Sequence, residues 1–357
     1  MTGAPGGARF ELTPGYDISR LIVGGWQLSA GHRADAVALD EAVERLVAMA
    51  DMGLDTFDCA DIYTGVEELY GRFLRRWRTT SSGARSIRIH TKLVPDLAVL
   101  EQADGAYVRG IVERSLRRLG VERLDLVQFY WWDFERGDWL GAVRALAELQ
   151  REGKVRCVGA TNFTAQEVAQ MEGAGVRVVA NQVQYSALDR RPEDGGLADA
   201  CLVSDMRMLC FGGLAGGFLT STWLDRPDPG YEGLPNRSLT KYRLIIDEFG
   251  GWHAYQSLLR TLATVADEHG VDAATVALRF VLDQPGVAAA IVGFSSVARM
   301  ADNGRALGLE LTREDHARVR SHTDAAPGPG GDIFALERDR DGPHGRIMRY
   351  ELNADGA

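Results

Sequence analysis

Short apolar runs alternate with amphipathic stretches along most of the chain. Eight runs have the length and β-branched content of strands: Leu21 to Trp26, Thr56 to Ala60, Ile87 to Leu93, Leu124 to Trp131, Val155 to Ala160, Val178 to Val183, Arg207 to Phe211 and Ala288 to Val292. Helical spacing fills the gaps. From Ala38 to Met52, the residues Leu39, Val43, Leu46, Val47 and Ala50 recur on one face. Glu67 to Trp77, Arg109 to Leu119, Trp139 to Glu152, Ala165 to Glu172 and Gly195 to Ser204 read as the helices that follow. Strands alternating with helices predict an α/β protein with a parallel sheet, and eight such units predict a closed (β/α)8 TIM barrel, with chemistry at the C-terminal ends of the strands.

A long insertion, Gly212 to Gly286, separates the seventh and eighth strands. It holds the loop-like Asp225-Arg226-Pro227-Asp228-Pro229-Gly230 and two predicted helices, Gly251 to His269 and Ala273 to Asp283. Segments of that length in compact domains serve as lids or binding loops. The first extended Gly/Pro-rich break is Ala325 to Gly331, so residues 1–325 read as one barrel domain and 326–357 as a C-terminal tail packing on or near it.

Over 357 residues the formal net charge is -10. That balance argues against sequence-independent nucleic-acid binding, which needs a basic surface, and requires any anionic ligand to find a local basic pocket. Cys59, Cys157, Cys201 and Cys210 form no Cys-x-x-Cys pair and no zinc-type spacing with histidine, so no metal is expected and a reduced, cytoplasmic protein is the simple reading. Met1 to Phe10 has no apolar signal core, and no run of about eighteen uncharged apolar residues occurs, so neither secretion nor membrane spanning is expected. The expected partner is a small molecule; the oligomeric state is open.

Candidate chemistry concentrates in Asp58-Cys59-Ala60-Asp61-Ile62-Tyr63, where a carboxylate and a phenol straddle the end of a strand. A phenol is a poor acid at neutral pH unless a positive charge stabilises its anion. Lys92, near the C-terminal end of Ile87 to Leu93, is the candidate for that charge. The bland alternative is a structural Asp58–Lys92 ion pair with Tyr63 capping the barrel. His90, two residues before Lys92, shares its face of the strand and is a second candidate at the pocket. Trp26, Trp131, Trp132 and Trp223 are candidates for a pocket lining that suits a bulky, flat or apolar substrate.

These residues resemble the aldo-keto reductase family, whose pattern is Asp-Thr-Ala-x-x-Tyr on the second strand and Thr-Lys on the third. Gly159-Ala160-Thr161-Asn162-Phe163 is similar to the family's Gly-x-Ser-Asn-Phe, and Asn181-Gln182-Val183-Gln184-Tyr185 to its Asn-Gln-Val-x-Tyr. Gly293 through Arg299 to Asn303 is similar to its late cofactor signature. The resemblance spans roughly Ile18 to Leu307 in order.

It implies a nicotinamide-dependent reductase of a carbonyl group, with Tyr63 as general acid tuned by Asp58 and Lys92. It also implies a cofactor site formed by Gly25, Thr161, Asn162, Gln182, Phe211, Gly212, Leu214, Gly293, Ser295, Ser296, Arg299 and Asn303. Arg299 with the serine hydroxyls favours NADPH over NADH.

Two positions depart from the family. Tyr130 stands where a histidine completes the usual tetrad, and Phe211 replaces the tyrosine that stacks on nicotinamide. Tyr130 either donates the histidine's hydrogen bond or relocates the substrate so that a C=C or C=N bond is reduced. A low-turnover NADP(H)-binding regulatory protein is the reading outside catalysis, and retention of Asp58, Tyr63 and Lys92 argues against it.

Overall fold

The computed structural model describes residues 8–30, 38–80, 86–294 and 296–352. The chain opens with an antiparallel hairpin, β1 (Arg9–Thr13) and β2 (Tyr16–Ser19). Then come β3 (Leu21–Gly24), β4 (Thr56–Asp58), β5 (Arg88–Leu93), β6 (Leu124–Phe129), β7 (Val155–Thr161), β8 (Val178–Gln184), β9 (Arg207–Phe211) and β10 (Val287–Gly293). These eight are parallel and close into a barrel, β10 pairing with β3 from Ala290 opposite Leu21 to Gly293 opposite Gly24. All eight predicted strands are present, with ends shifted by a few residues at most.

The hairpin was not predicted. Its alternating Leu12, Tyr16 and Ile18 are buried against Ile22, Leu126, Val179, Leu209 and Ala288, so it plugs the barrel floor where a closed barrel would otherwise leave apolar side chains open to water. Gly15, at φ +72°, makes the tight turn that lets the two strands return on each other.

The outer layer contains α1 (Leu39–Asp51), α2 (Val66–Thr80), α3 (Gly105–Leu119), α4 (Trp139–Arg151), α5 (Ala165–Gly173), the short α6 (Arg191–Asp194) and α7 (Leu197–Val203). Each long helix buries an apolar stripe; in α2 it is Leu69, Tyr70, Phe73, Leu74 and Trp77.

The insertion between β9 and β10 contains three helices rather than two: α8 (Arg237–Glu248), α9 (Gly251–His269) and α10 (Ala273–Leu282). Asn236 caps α8 by accepting from the Leu239 amide. Ile245, Ile246, Tyr255, Leu258, Leu262 and Phe280 give the insertion a core of its own. After β10 come α11 (Val297–Gly304) and α12 (Arg313–Ala325).

The tail, with the short helices α13 (Ala335–Arg338) and α14 (Pro343–Arg346), crosses the strands' C-terminal end. There Arg338 donates to the carbonyls of Trp131 and Asn162 at 3.3 and 3.0 Å. Arg191 clamps Glu337 at 2.8 and 3.2 Å. The Leu352 amide donates to Asp96 at 3.0 Å.

Candidate active site

Asp58 ends β4 and Lys92 lies near the end of β5, so pairing of these two strands sets their side chains beside each other inside the barrel. Lys92 Nζ donates to Asp58 Oδ2 at 2.6 Å and to the Cys59 carbonyl at 2.8 Å. Each side chain of the pair is only 5% exposed. The other carboxylate oxygen, Oδ1, accepts from Gln128 Nε2 at 2.9 Å and Gln182 Nε2 at 2.7 Å. A buried carboxylate needs this degree of satisfaction to stay charged. Burial alone would lower the Lys92 ammonium, but Asp58 and Tyr63 more than offset it, so its pKa is held above the ordinary lysine value and it stays cationic.

Tyr63 follows β4 in the loop leading to α2, and its ring lies 5.0 Å from Lys92 Nζ and 4.9 Å edge-on from the Trp26 ring. Burial raises its phenol above the ordinary value, and the Lys92 charge is the main opposing influence. The phenol is therefore neutral at neutral pH, carrying a proton to give, with a fixed cation beside it to receive the resulting charge.

Above this chain opens a cavity of about 650 Å³. Of the residues predicted from sequence, Trp26, Asp58, Tyr63, Lys92, Tyr130, Trp132, Thr161, Asn162, Gln182, Phe211, Gly212, Leu214, Gly293, Arg299 and Asn303 line it.

Others lie elsewhere. Gly25 is packed beneath the wall: its amide donates to the Asp58 carbonyl at 2.8 Å, and a Cβ there would meet Tyr70 Oη at 2.7 Å, so Gly24 borders the cavity instead. Ser296 is spent as the cap of α11, accepting from the Arg299 amide at 3.2 Å. Ser295 lies outside the described residues.

His90 shares a face with Lys92 but sits two residues deeper, at the floor, 3.0 Å from the Tyr16 hydroxyl. Burial lowers its pKa to about 4, Asp58 partly opposing, so it is a neutral packing residue away from the pocket. Trp131 faces the helix layer, stacked 5.8 Å from Phe129 with its indole N–H on the Arg136 carbonyl. Strand alternation sends Tyr130 and Trp132 one way and Phe129 and Trp131 the other. Trp223 packs on Phe218 and Trp252 in the insertion's core, at 4.8 and 5.9 Å.

Several buried groups on the wall have unused hydrogen-bonding capacity. Thr161 Oγ1, Asn162 Oδ1 and the Tyr130 hydroxyl have no partner among the described residues. Asn162, at φ 57°, is held in the left-handed region at the end of β7. Buried polar atoms without partners are costly. Orphaned amide and hydroxyl groups at one end, glycines bordering the cavity at Gly212 and Gly293, and an Arg299 with no ion pair among the described residues fit a dinucleotide. Tyr130 packs edge-on against Trp132 at 4.8 Å and Phe334 at 6.1 Å.

The sequence reading missed Lys241, Arg237, Phe334 and Arg349, contributed to the wall by α8 and the tail, and the part Gln128 takes in holding Asp58. An amide within the otherwise apolar Leu126 to Phe129 of β6 was the available signal for Gln128. The described residues contain no cluster that suits a metal ion and no helix long and apolar enough to cross a membrane.

The aldo/keto reductase family model matches residues 20–324. The flagellar radial spoke protein 5 of Chlamydomonas reinhardtii is 28% identical over 307 residues; the match covers 70% of this chain and 58% of that protein's length. The L-glyceraldehyde 3-phosphate reductase of Escherichia coli O157:H7 is 26% identical over 324 residues, covering 86% and 90% of the two chains. The glycerol dehydrogenase of Gluconobacter oxydans superposes with a TM-score of 0.73 at 22% identity over 92% of this chain and 99% of that one, a likeness of fold. With the barrel and the Asp58–Lys92–Tyr63 arrangement, these matches lead to one assignment: the protein belongs to the aldo/keto reductase family of nicotinamide-dependent oxidoreductases.

Proposed function

We propose that the protein reduces a carbonyl group of a bulky aromatic or apolar small molecule, with NADPH as reductant and Tyr63 as proton donor. The observation that carries this reading is the buried Asp58–Lys92 pair, 2.6 Å apart, placed against the Tyr63 ring at the base of the cavity. As the carbonyl oxygen takes up negative charge, Tyr63 Oη gives it a proton, and the phenolate left behind lies beside the Lys92 ammonium. A fixed charge in a water-poor site stabilises that anion with little reorganisation. When bound, the dinucleotide supplies the hydride.

Thr161, Asn162 and Gln182 would hold the carboxamide end and Phe211 the ring. Gly212 and Leu214 lie in the loop that would cover the pyrophosphate. Gly293, Arg299 and Asn303 would take the adenosine end, where a guanidinium suits a 2′-phosphate. Gln182 spends its N–H donors on Asp58 and Gln128, which leaves its carbonyl oxygen as the atom for a ligand.

Tyr130 favours a second reading. Its hydroxyl is buried without a partner and roofed by the Arg338 guanidinium, 5.9 Å from the ring. A phenol here reaches further into the cavity than an imidazole, and a substrate displaced by it would offer the hydride a conjugated C=C or a C=N bond.

The test is NADPH oxidation with a panel of aldehydes, enones and imines. Tyr63→Phe should lower turnover by about 10²–10⁴-fold while NADPH binding stays within about twofold. Unchanged turnover would remove Tyr63 from the reaction.

A further inference from the structure

We propose that Lys241 anchors an anionic group of the substrate, so that the carbonyl compound taken by this cavity carries a carboxylate beside its apolar body. The proposal rests on the reading of the cavity as the carbonyl site and names its substrate class.

Lysines on the surface helices of a barrel ordinarily extend into water. Lys241, on α8 of the insertion, instead lines the cavity, its side chain 17% exposed. The ammonium lies over three aromatic rings: Phe211 at 5.1 Å, Phe334 at 5.4 Å and Tyr242 at 5.7 Å. Ring faces attract a cation, but they leave its three N–H donors without the strong acceptors they had in water.

The nearest carboxylate is Glu337 on the tail, 3.8 Å away and beyond hydrogen-bond distance. Glu337 is already engaged by both terminal nitrogens of Arg191. Lys241 therefore has a charge attracted to its surroundings and donors with no acceptor among the described residues. Burial pulls its pKa below the ordinary lysine value, with Glu337 the main opposing charge. An anion entering the cavity would oppose that effect of burial and favour the charged form.

The neighbouring cations strengthen the case. Arg237 and Arg349 also line the cavity; neither forms an ion pair among the described residues, and Arg237 donates to the Ile347 carbonyl. Of the three acids on the wall, Asp58 is bound to Lys92, Asp272 caps α10 by accepting from Thr275, and Asp302 lies on α11, against the five cations Lys92, Arg237, Lys241, Arg299 and Arg349. The wall is thus locally basic in a protein whose net charge is -10. Phe334 brings Lys241 towards the substrate, because the same ring packs against Tyr130, while Phe211 sets the ammonium beside the place assigned to the nicotinamide ring.

A dinucleotide phosphate offers similar chemistry, since Tyr242 packs under the Gly212–Gly216 turn, so both sources are titrated. Calorimetric titration of benzoate and of benzamide into the full chain, with and without NADPH, compares an anion with a neutral molecule of the same shape. The wild type should bind benzoate about tenfold or more tightly than benzamide, as expected for a charge-assisted bond. Lys241→Met should abolish that preference, Lys241→Arg should keep it, and NADPH affinity should stay within about twofold in both variants.

Equal wild-type affinities for the two probes, or a preference that survives Lys241→Met, would overturn the proposal. So would a loss of NADPH affinity in Lys241→Met with the benzoate preference intact, which assigns the cation to the cofactor. Neither probe is reduced, so these outcomes are independent of the aldehyde panel that decides the carbonyl reading.

Discussion

Replacing Lys92 with methionine keeps the bulk of the side chain and removes one of two charges buried 2.6 Å apart. Breaking a buried pair from one side costs about 3–5 kcal/mol, because the surviving charge is left without its counter-ion. Asp58 would retain the amides of Gln128 and Gln182 at 2.9 and 2.7 Å, which places the expected loss near the lower end, about 3 kcal/mol. Asp58→Asn should cost a similar amount, since Lys92 would keep the Cys59 carbonyl alone.

The double variant removes both charges together. It should lose about 3 kcal/mol rather than the roughly 6 kcal/mol of the summed single changes, giving a coupling of about 3 kcal/mol. Urea denaturation of the four proteins at one pH, compared where the slopes agree, yields the cycle. A Lys92→Met variant that loses less than about 1 kcal/mol, or a double variant that loses the full sum, would refute the claim that this pair is held by mutual charge in a dry site.

Arg299→Ala should weaken NADPH about tenfold and leave NADH unaffected, as fluorescence titration of both cofactors would read; equal wild-type affinities would remove the 2′-phosphate contact. His90, with a folded pKa near 4 against 6.5 when free, is neutral in the folded state, so the unfolded chain takes up a proton that the folded one refuses. Its contribution is complete above about pH 6.5 and declines as pH falls towards 4, by up to about 3 kcal/mol. Denaturation at pH 5 and pH 7.5 should therefore show a smaller pH dependence for His90→Gln than for the wild type, and an identical difference at both pH values would contradict it. Tyr130→His should raise kcat/KM on simple aldehydes by about tenfold or more while lowering it on the native substrate, read as changes in transition-state free energy; loss of both activities together would make Tyr130 structural.

The barrel was legible because its signal is periodic and repeated: each strand is a short apolar run, and eight runs spaced by amphipathic helices admit few other arrangements. The hairpin at the floor escaped notice because Phe10, Leu12, Tyr16 and Ile18 alternate across a Pro14-Gly15 turn only five residues to a strand or fewer. At the site, period-two reasoning gave His90 and Lys92 the same face, which they share, but face carries no information about depth, and two residues of strand separate floor from mouth. Trp131 is the opposite case: the same period, carried two residues past the end of β6, would have sent it outward with Phe129. Lys241, Phe334 and Arg349 were out of reach, because their approach to the cavity depends on how the insertion and the tail fold back over the mouth.

Closure of the ring through β10 and β3 also governs when this protein can exist at all. Leu21 and Ala290 are partners across about 270 residues of chain. At roughly 5–20 residues per second of synthesis, about 15–55 s pass between the emergence of one and the other. During that interval β3 and the newest strand each present an unpaired backbone edge flanked by apolar side chains, and the hairpin lacks the part of the floor that Ala288 and Ala289 complete. Loop-closure entropy is met late and in one step, so the nascent chain is most vulnerable to self-association just before it is finished.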